Sequence, residues 1–151
     1  MLVTVARDGT LLDRRRVELV DDDLPKLPHH SEGQRLPLDE AIELVERVRD
    51  SAERHAALVF DAVAAAVPGI LGVALRERQP LPETIAERIK DYRASNVADW
   101  VMYRTALADA AEARGWPIHW YDPKKLDTRF VQMPNRDQRL AMAAALVAAG
   151  T

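Results

Sequence analysis

The chain has no cysteine, so a disulfide frame and thiolate chemistry are both excluded. It has no apolar run near the ~20 residues that a membrane-spanning helix needs. The opening stretch MLVTVARDG lacks a basic segment followed by a long apolar one, so no signal peptide is expected. There is no excess of basic residues either. Twenty-one Lys and Arg stand against 24 Asp and Glu, giving a formal charge of -3 and a pI near 5.8. That balance argues against a general coat for nucleic acid, which is normally basic, but leaves room for a local basic patch. No internal repeat or low-complexity tract occurs, and the alanine-rich tail reads as a plain helix. A soluble cytoplasmic protein with no membrane partner is the expectation. Its 151 residues, 48% of them hydrophobic, suit one domain spanning 1–151 with a substantial core.

The first twenty residues, MLVTVARDGTLLDRRRVELV, read as a β-hairpin. Asp8-Gly9 supplies the backbone angles that a two-residue turn requires. With that turn Ala6 and Leu11 share one face, and Val3, Val5 and Leu12 the other. Residues 21–38 hold Pro25, Pro28, Pro37 and Gly33 and read as loop. From Asp39 the period becomes helical. Ala41, Val45, Val48, Ala52, Ala56, Val59 and Val63 follow at steps of three and four, and Pro68-Gly69 ends the run. The apolar run ILGVALR, residues 70–76, fits a strand covered on both faces. Thr84 and Glu87 have capping-box spacing and open a helix that runs to Arg114, with a bend or break at Ser95-Asn96 and Gly115 as its stop. WPIHWYD, residues 116–122, reads as a strand. A polar connection over 123–134, with Pro123 and Pro134, leads to a last helix capped by Asn135 and closed by Gly150. The expected architecture is α/β: the hairpin and the strands around 70–76 and 116–122 in one mixed sheet, with the 39–66 helix packed against it.

This order is similar to the ribonuclease H-like fold, with a loop in place of the third strand. The stretches DGTLLDRRRVEL, LPHHSEGQ, NVADWVMYRTALADAAEARGWPIHWYD and RDQRLAMAAALVAA also resemble an uncharacterised bacterial family of this resolvase-like layout. The resemblance covers nearly the whole chain. Nucleases and resolvases of the fold hold two divalent metals, magnesium or manganese, on carboxylates of the first strand, the fourth strand and the last helix. It therefore implies Glu77, just past ILGVALR, and Asp137, at the start of the last helix, as catalytic carboxylates. Met1 to Ala6 carry no acid.

Read from the residues alone, Asp137 shares a helix face with Leu140, Ala141 and Ala144. The preference of acids for a first helical turn explains the same position. Glu77 ends a strand, where open α/β sheets place ligands, yet it is also an acid between Arg76 and Arg78. His29, His30 and Glu32 form the one ligand-rich loop, and a mixed imidazole and carboxylate site would favour manganese, zinc or iron. Ligand spacing of the zinc kind is absent, so LPHHSEGQRLP is expected to be an ordered crossing loop, its histidines serving hydrogen bonds or a binding surface. His55 and His119 read as packed or surface residues. Arg14, Arg15 and Arg16, with Lys124, Lys125, Arg129, Arg136 and Arg139, could face phosphates, though Asp122, Asp127 and Asp137 intersperse them. Tyr92, Asn96, Asp99 and Tyr103 fall at steps of four, three and four and form one stripe, expected to be largely buried, either within the monomer or in a homodimer.

Two functions follow as expectations. One is a ribonuclease H-like domain that binds or processes nucleic acid, with a divalent metal only if it is a nuclease, or a catalytically degenerate member of that fold. The other is a homodimeric scaffold or interaction module without enzymatic activity.

Overall fold

The computed structural model describes residues 1–129, 131 and 135–150. Of the 123–134 connection, Pro134 lies outside them. The elements are β1 (Leu2–Val5), β2 (Leu11–Arg15), α1 (Leu38–Ala66), β3 (Val73–Arg76), α2 (Ile85–Lys90), α3 (Tyr92–Ala113), β4 (Ile118–Tyr121) and α4 (Arg136–Gly150). The chain is a mixed α/β protein that divides into two compact units. Met1–Val17, Leu58–Glu77 and Ala108–Thr151 form one; Glu18–Ala57 and Arg78–Leu107 form the other.

In the first unit β1 and β2 pair antiparallel, with Leu2 opposite Arg15, Val3 opposite Arg14 and Thr4 opposite Asp13. That is the register a two-residue turn would set. The turn is one residue longer, and the ladder shifts so that Val5 meets Leu11 and Leu12 is the extra residue. Gly9 sits at φ +89°, the left-handed angle that glycine tolerates without a steric penalty. Val5 and Leu11 therefore oppose each other, which corrects the facing expected for Ala6 and Leu11.

β3 and β4 pair in parallel, Val73 opposite Ile118 through Arg76 opposite Tyr121. The two ladders are separate, so the single sheet expected from the sequence is not formed among the described residues. Periodicity identifies strands, but hydrogen bonds between distant segments decide which of them join. The helix that bridges the ladders is α4, which packs across β1 and β3. Only Leu75 of β3 is buried, so this strand is not covered on both faces as its apolar run suggested. Phe60 of α1 packs on Trp116 at 5.3 Å between ring centroids, and the Arg114 guanidinium lies 4.8 Å from the Trp116 ring while pairing with Asp61.

The second unit is built on the apolar stripe of α1. Ala41, Val45, Val48, Ala52 and Ala56 are buried as their spacing requires. Beyond them, in the first unit, Phe60 takes the buried place expected for Val59. Ala41 and Val45 pack with Ile89 of α2, flanked by Ile85 and Met102. The helix expected from 84 to 114 is two helices. The Thr84–Glu87 capping box opens α2 as expected. The break falls at Asp91 rather than at Ser95-Asn96. Asp91 is extended at φ -90°, ψ 111°, and its Oδ1 accepts the N–H groups of Arg93 and Ala94 at 2.9 and 3.2 Å. Ser95 lies buried in the continuing helix and donates to the Tyr92 carbonyl at 2.9 Å.

Candidate functional site

Residues 18–37 contain no strand and cross the second unit as a pinned loop. At its start the Asp21 N–H donates to Ser51 Oγ at 2.9 Å, and the Asp21 carboxylate takes Arg54 at 2.7 Å and His55 at 2.8 Å. The Arg54 guanidinium, then His55 and Ser51, hold the Asp21 carboxyl down to about 2. Ser51, Arg54 and His55 are one turn of α1, so a single turn of helix anchors the loop. Further on, the Tyr103 hydroxyl donates to the Lys26 carbonyl at 2.6 Å. Burial first, and then the charges of Asp99 and Glu18, push that phenol up to about 12, so it stays a donor at any physiological pH.

The centre of the loop is an interior carboxylate–imidazole pair. Asp99 of α3 and His29 are each 1% exposed. Asp99 Oδ1 accepts the His29 backbone N–H at 3.0 Å and lies 2.7 Å from His29 Nδ1; Oδ2 accepts the His30 N–H at 3.2 Å. A carboxylate can only accept, so Nδ1 carries the proton that faces it. Two backbone donors and one ring donor thus converge on one buried side chain. Gln34 locks the far side, its Nε2 donating to the carbonyls of His29 and Ile89 at 2.9 and 3.0 Å. Gly33 is required there: its N–H donates to Pro28 O at 2.7 Å, and a Cβ would lie 2.7 Å from that same oxygen.

A histidine oriented by a carboxylate is the arrangement of a general base or of a metal ligand with its supporting shell. Here His29 Nε2 is sealed inside, as are His30 Nδ1 and Glu32 Oε2, and none of the three has a hydrogen-bond partner. Among the described residues no three His, Asp or Glu side chains gather closely enough to hold a metal ion. The pair's evident work is to hold the loop.

The other sequence candidates are dispersed. Glu77 and Asp137 are both exposed. The residue that α4 buries in its first turn is Gln138 rather than Asp137. Arg14, Arg16, Lys124 and Lys125 are exposed, while Arg15 and Arg129 are paired with Asp13 and Asp127. The Tyr92–Tyr103 stripe divides: Asp99 is buried, Tyr103 half-buried, Asn96 exposed and Tyr92 70% exposed. Its expected burial therefore fails at Tyr92 and Asn96, which lie on the outward side of the helix. His30 lies against Tyr92 at 6.5 Å between ring centroids. Trp100, 52% exposed and four residues past Asn96, continues the outward face; its i+4 step from Asn96 was the available signal. No protein-family model, curated protein or solved structure matches this chain.

Proposed function

We propose that the protein is a non-enzymatic interaction module that pairs with a second copy of itself through the outward face of α3. The observation that carries this is the exposure of Tyr92 and Trp100 on either side of Asn96, while Asp99 on the same helix is spent on the loop. Tyrosine and tryptophan enrich protein interfaces, where they bury much area at little entropic cost. The spacing is also self-complementary. Two antiparallel copies of α3 crossing at Asn96 would set Tyr92 against Trp100 of the partner copy, and Asn96 against its own counterpart, whose amide can both donate and accept. Light scattering at ~100 μM, a concentration at which a weak dimer of ~10 μM Kd is mostly formed, should give twice the chain mass. The pair Tyr92→Ser and Trp100→Ser should return it to one. A wild-type monomer mass, or a dimer that survives both substitutions, would refute the reading.

A second reading, a ribonuclease H-like domain that binds or processes nucleic acid, draws support from one observation. α4 packs against one strand of each ladder, β1 and β3, so a helix covers strands of both, as the helix-flanked sheet of the resembled fold would have it. On this reading Glu77 and Asp137 would serve a divalent metal, and Arg14, Arg16, Lys124 and Lys125 the phosphates. Salt-dependent binding of single-stranded or duplex DNA that weakens when Lys124 and Lys125 become Ala would support it, and its absence at low salt would refute it.

A further inference from the structure

The clamped loop and the exposed residues of α3 meet at His30. Tyr92 and Asp99 are seven residues apart and so lie two turns from each other along one edge of the helix. His30 reaches both. Its backbone N–H donates to Asp99 Oδ2 at 3.2 Å, and its ring lies 6.5 Å from that of Tyr92 between centroids, tilted by 52°. One turn beyond Asp99, Tyr103 donates to the Lys26 carbonyl at 2.6 Å. α3 thus holds the loop through Asp99 and Tyr103, and the loop returns an imidazole to Tyr92, which is otherwise open at 70% exposure. All of these residues belong to the second unit.

The His30 ring does not hold this place by a bond of its own. Its Nδ1 is buried and has no hydrogen-bond partner among the described residues, and a buried polar atom without a partner opposes its own placement. The backbone fixes it instead. Asp99 accepts the N–H groups of His29 and His30, and Gln34 donates to the His29 carbonyl at 2.9 Å. Opening of these bonds would let His30 turn Nδ1 toward water and would leave Tyr92 without the ring beside it. An unsupported tyrosine samples more rotamers, and ordering it at an interface costs about fivefold in affinity.

From this we infer that closure of the loop around His29 and His30 regulates pairing through α3. The Asp99 clamp sets His30, His30 supports Tyr92, and Tyr92 meets the second copy. The coupling rests on the proposed dimer and adds a regulator to it, giving the buried His29–Asp99 pair a part in association. Linkage makes it reciprocal: a closed loop favours pairing, and pairing favours a closed loop.

Amide hydrogen exchange on the full chain, read by mass spectrometry at ~1 and ~100 μM protein, tests the reciprocal arm. The amides of His29 and His30 should exchange about fourfold more slowly at the higher concentration, the factor expected when a dimer of ~10 μM Kd forms only from closed chains. The Asp21 amide, bonded to Ser51 of α1 at the start of the same loop, is the reference and should exchange at the same rate at both. His30→Ala tests the direct arm. It removes the ring but keeps the backbone N–H on Asp99, and should raise the dimer Kd about fivefold in light scattering while the urea midpoint at ~1 μM stays at the wild-type value. A wild-type chain that is monomeric at ~100 μM would refute the dimer and the coupling together. A dimer whose His29 and His30 amides exchange at a rate independent of concentration would overturn the coupling alone. So would a His30→Ala dimer as tight as wild type, or one weakened only in step with a lower urea midpoint.

Discussion

At the scale of single residues, Asp99 does the most. It is charged, interior, and meets three donors from two adjacent residues of a loop that lies 69 and 70 positions away in sequence. Removing the carboxylate leaves two buried N–H groups and an imidazole without an acceptor. Asp99→Ala should therefore destabilise the fold by about 3 kcal/mol, the order of cost for leaving buried donors without an acceptor, as read by urea unfolding. A loss under about 1 kcal/mol would show the loop to be held by other contacts. Asp21 contributes differently, because its carboxylate and its main cationic partner, Arg54, meet solvent. Its carboxyl lies at about 2 in the folded chain against ~3.9 unfolded, so it stabilises above pH ~4, and that contribution disappears as pH falls toward 2. Thermal unfolding of Asp21→Asn should fall less steeply than wild type between pH 4 and 2, and parallel curves would contradict this. The histidines of LPHHSEGQRLP stood out in the sequence, but not their partner. Asp99 was legible only as one member of a helical stripe.

Elements were the most legible level. The stripe from Ala41 to Val63, the Thr84–Glu87 box and the Asp8-Gly9 turn are local signals, and each marked the start or face of an element, although the turn is one residue longer than expected and the capped helix stops at Lys90. The break between α2 and α3 was misplaced by four residues because two polar sites competed for it. Ser95 can satisfy its hydroxyl inside a helix by donating to the carbonyl three residues back, so it need not interrupt one. Asp91 caps instead, its carboxylate taking two of the N–H groups that a new helix leaves open. Asp91→Ala should cost about 1 kcal/mol, as the loss of an N-cap does, and Asp91→Asn much less. Equal losses in the two variants, measured by chemical unfolding, would assign the effect to charge rather than to capping.

For the whole molecule the charge is unevenly shared. The unit holding the clamped loop carries 15 Asp and Glu against 10 Lys and Arg, and the unit holding the strands 9 against 11. The overall -3 thus conceals a strongly acidic unit and a slightly basic one. Arg14, Arg16, Lys124 and Lys125 thus lie in the slightly basic unit, and Tyr92 and Trp100 of α3 in the acidic one.

The sequence by itself determined the chain's α/β character, the order of its strands and long helices, the apolar face of α1 and the presence of a loop between the hairpin and α1. All of these follow from periodicity, turn residues and caps, which act over short distances along the chain. The tertiary structure alone decided that the hairpin and the parallel pair form separate ladders. It also decided that α4 bridges them and that Asp99 is the residue on which His29 and His30 close. Those outcomes depend on backbone and side-chain groups far apart in sequence meeting in space, and a hydrogen bond across 70 positions leaves no period to read.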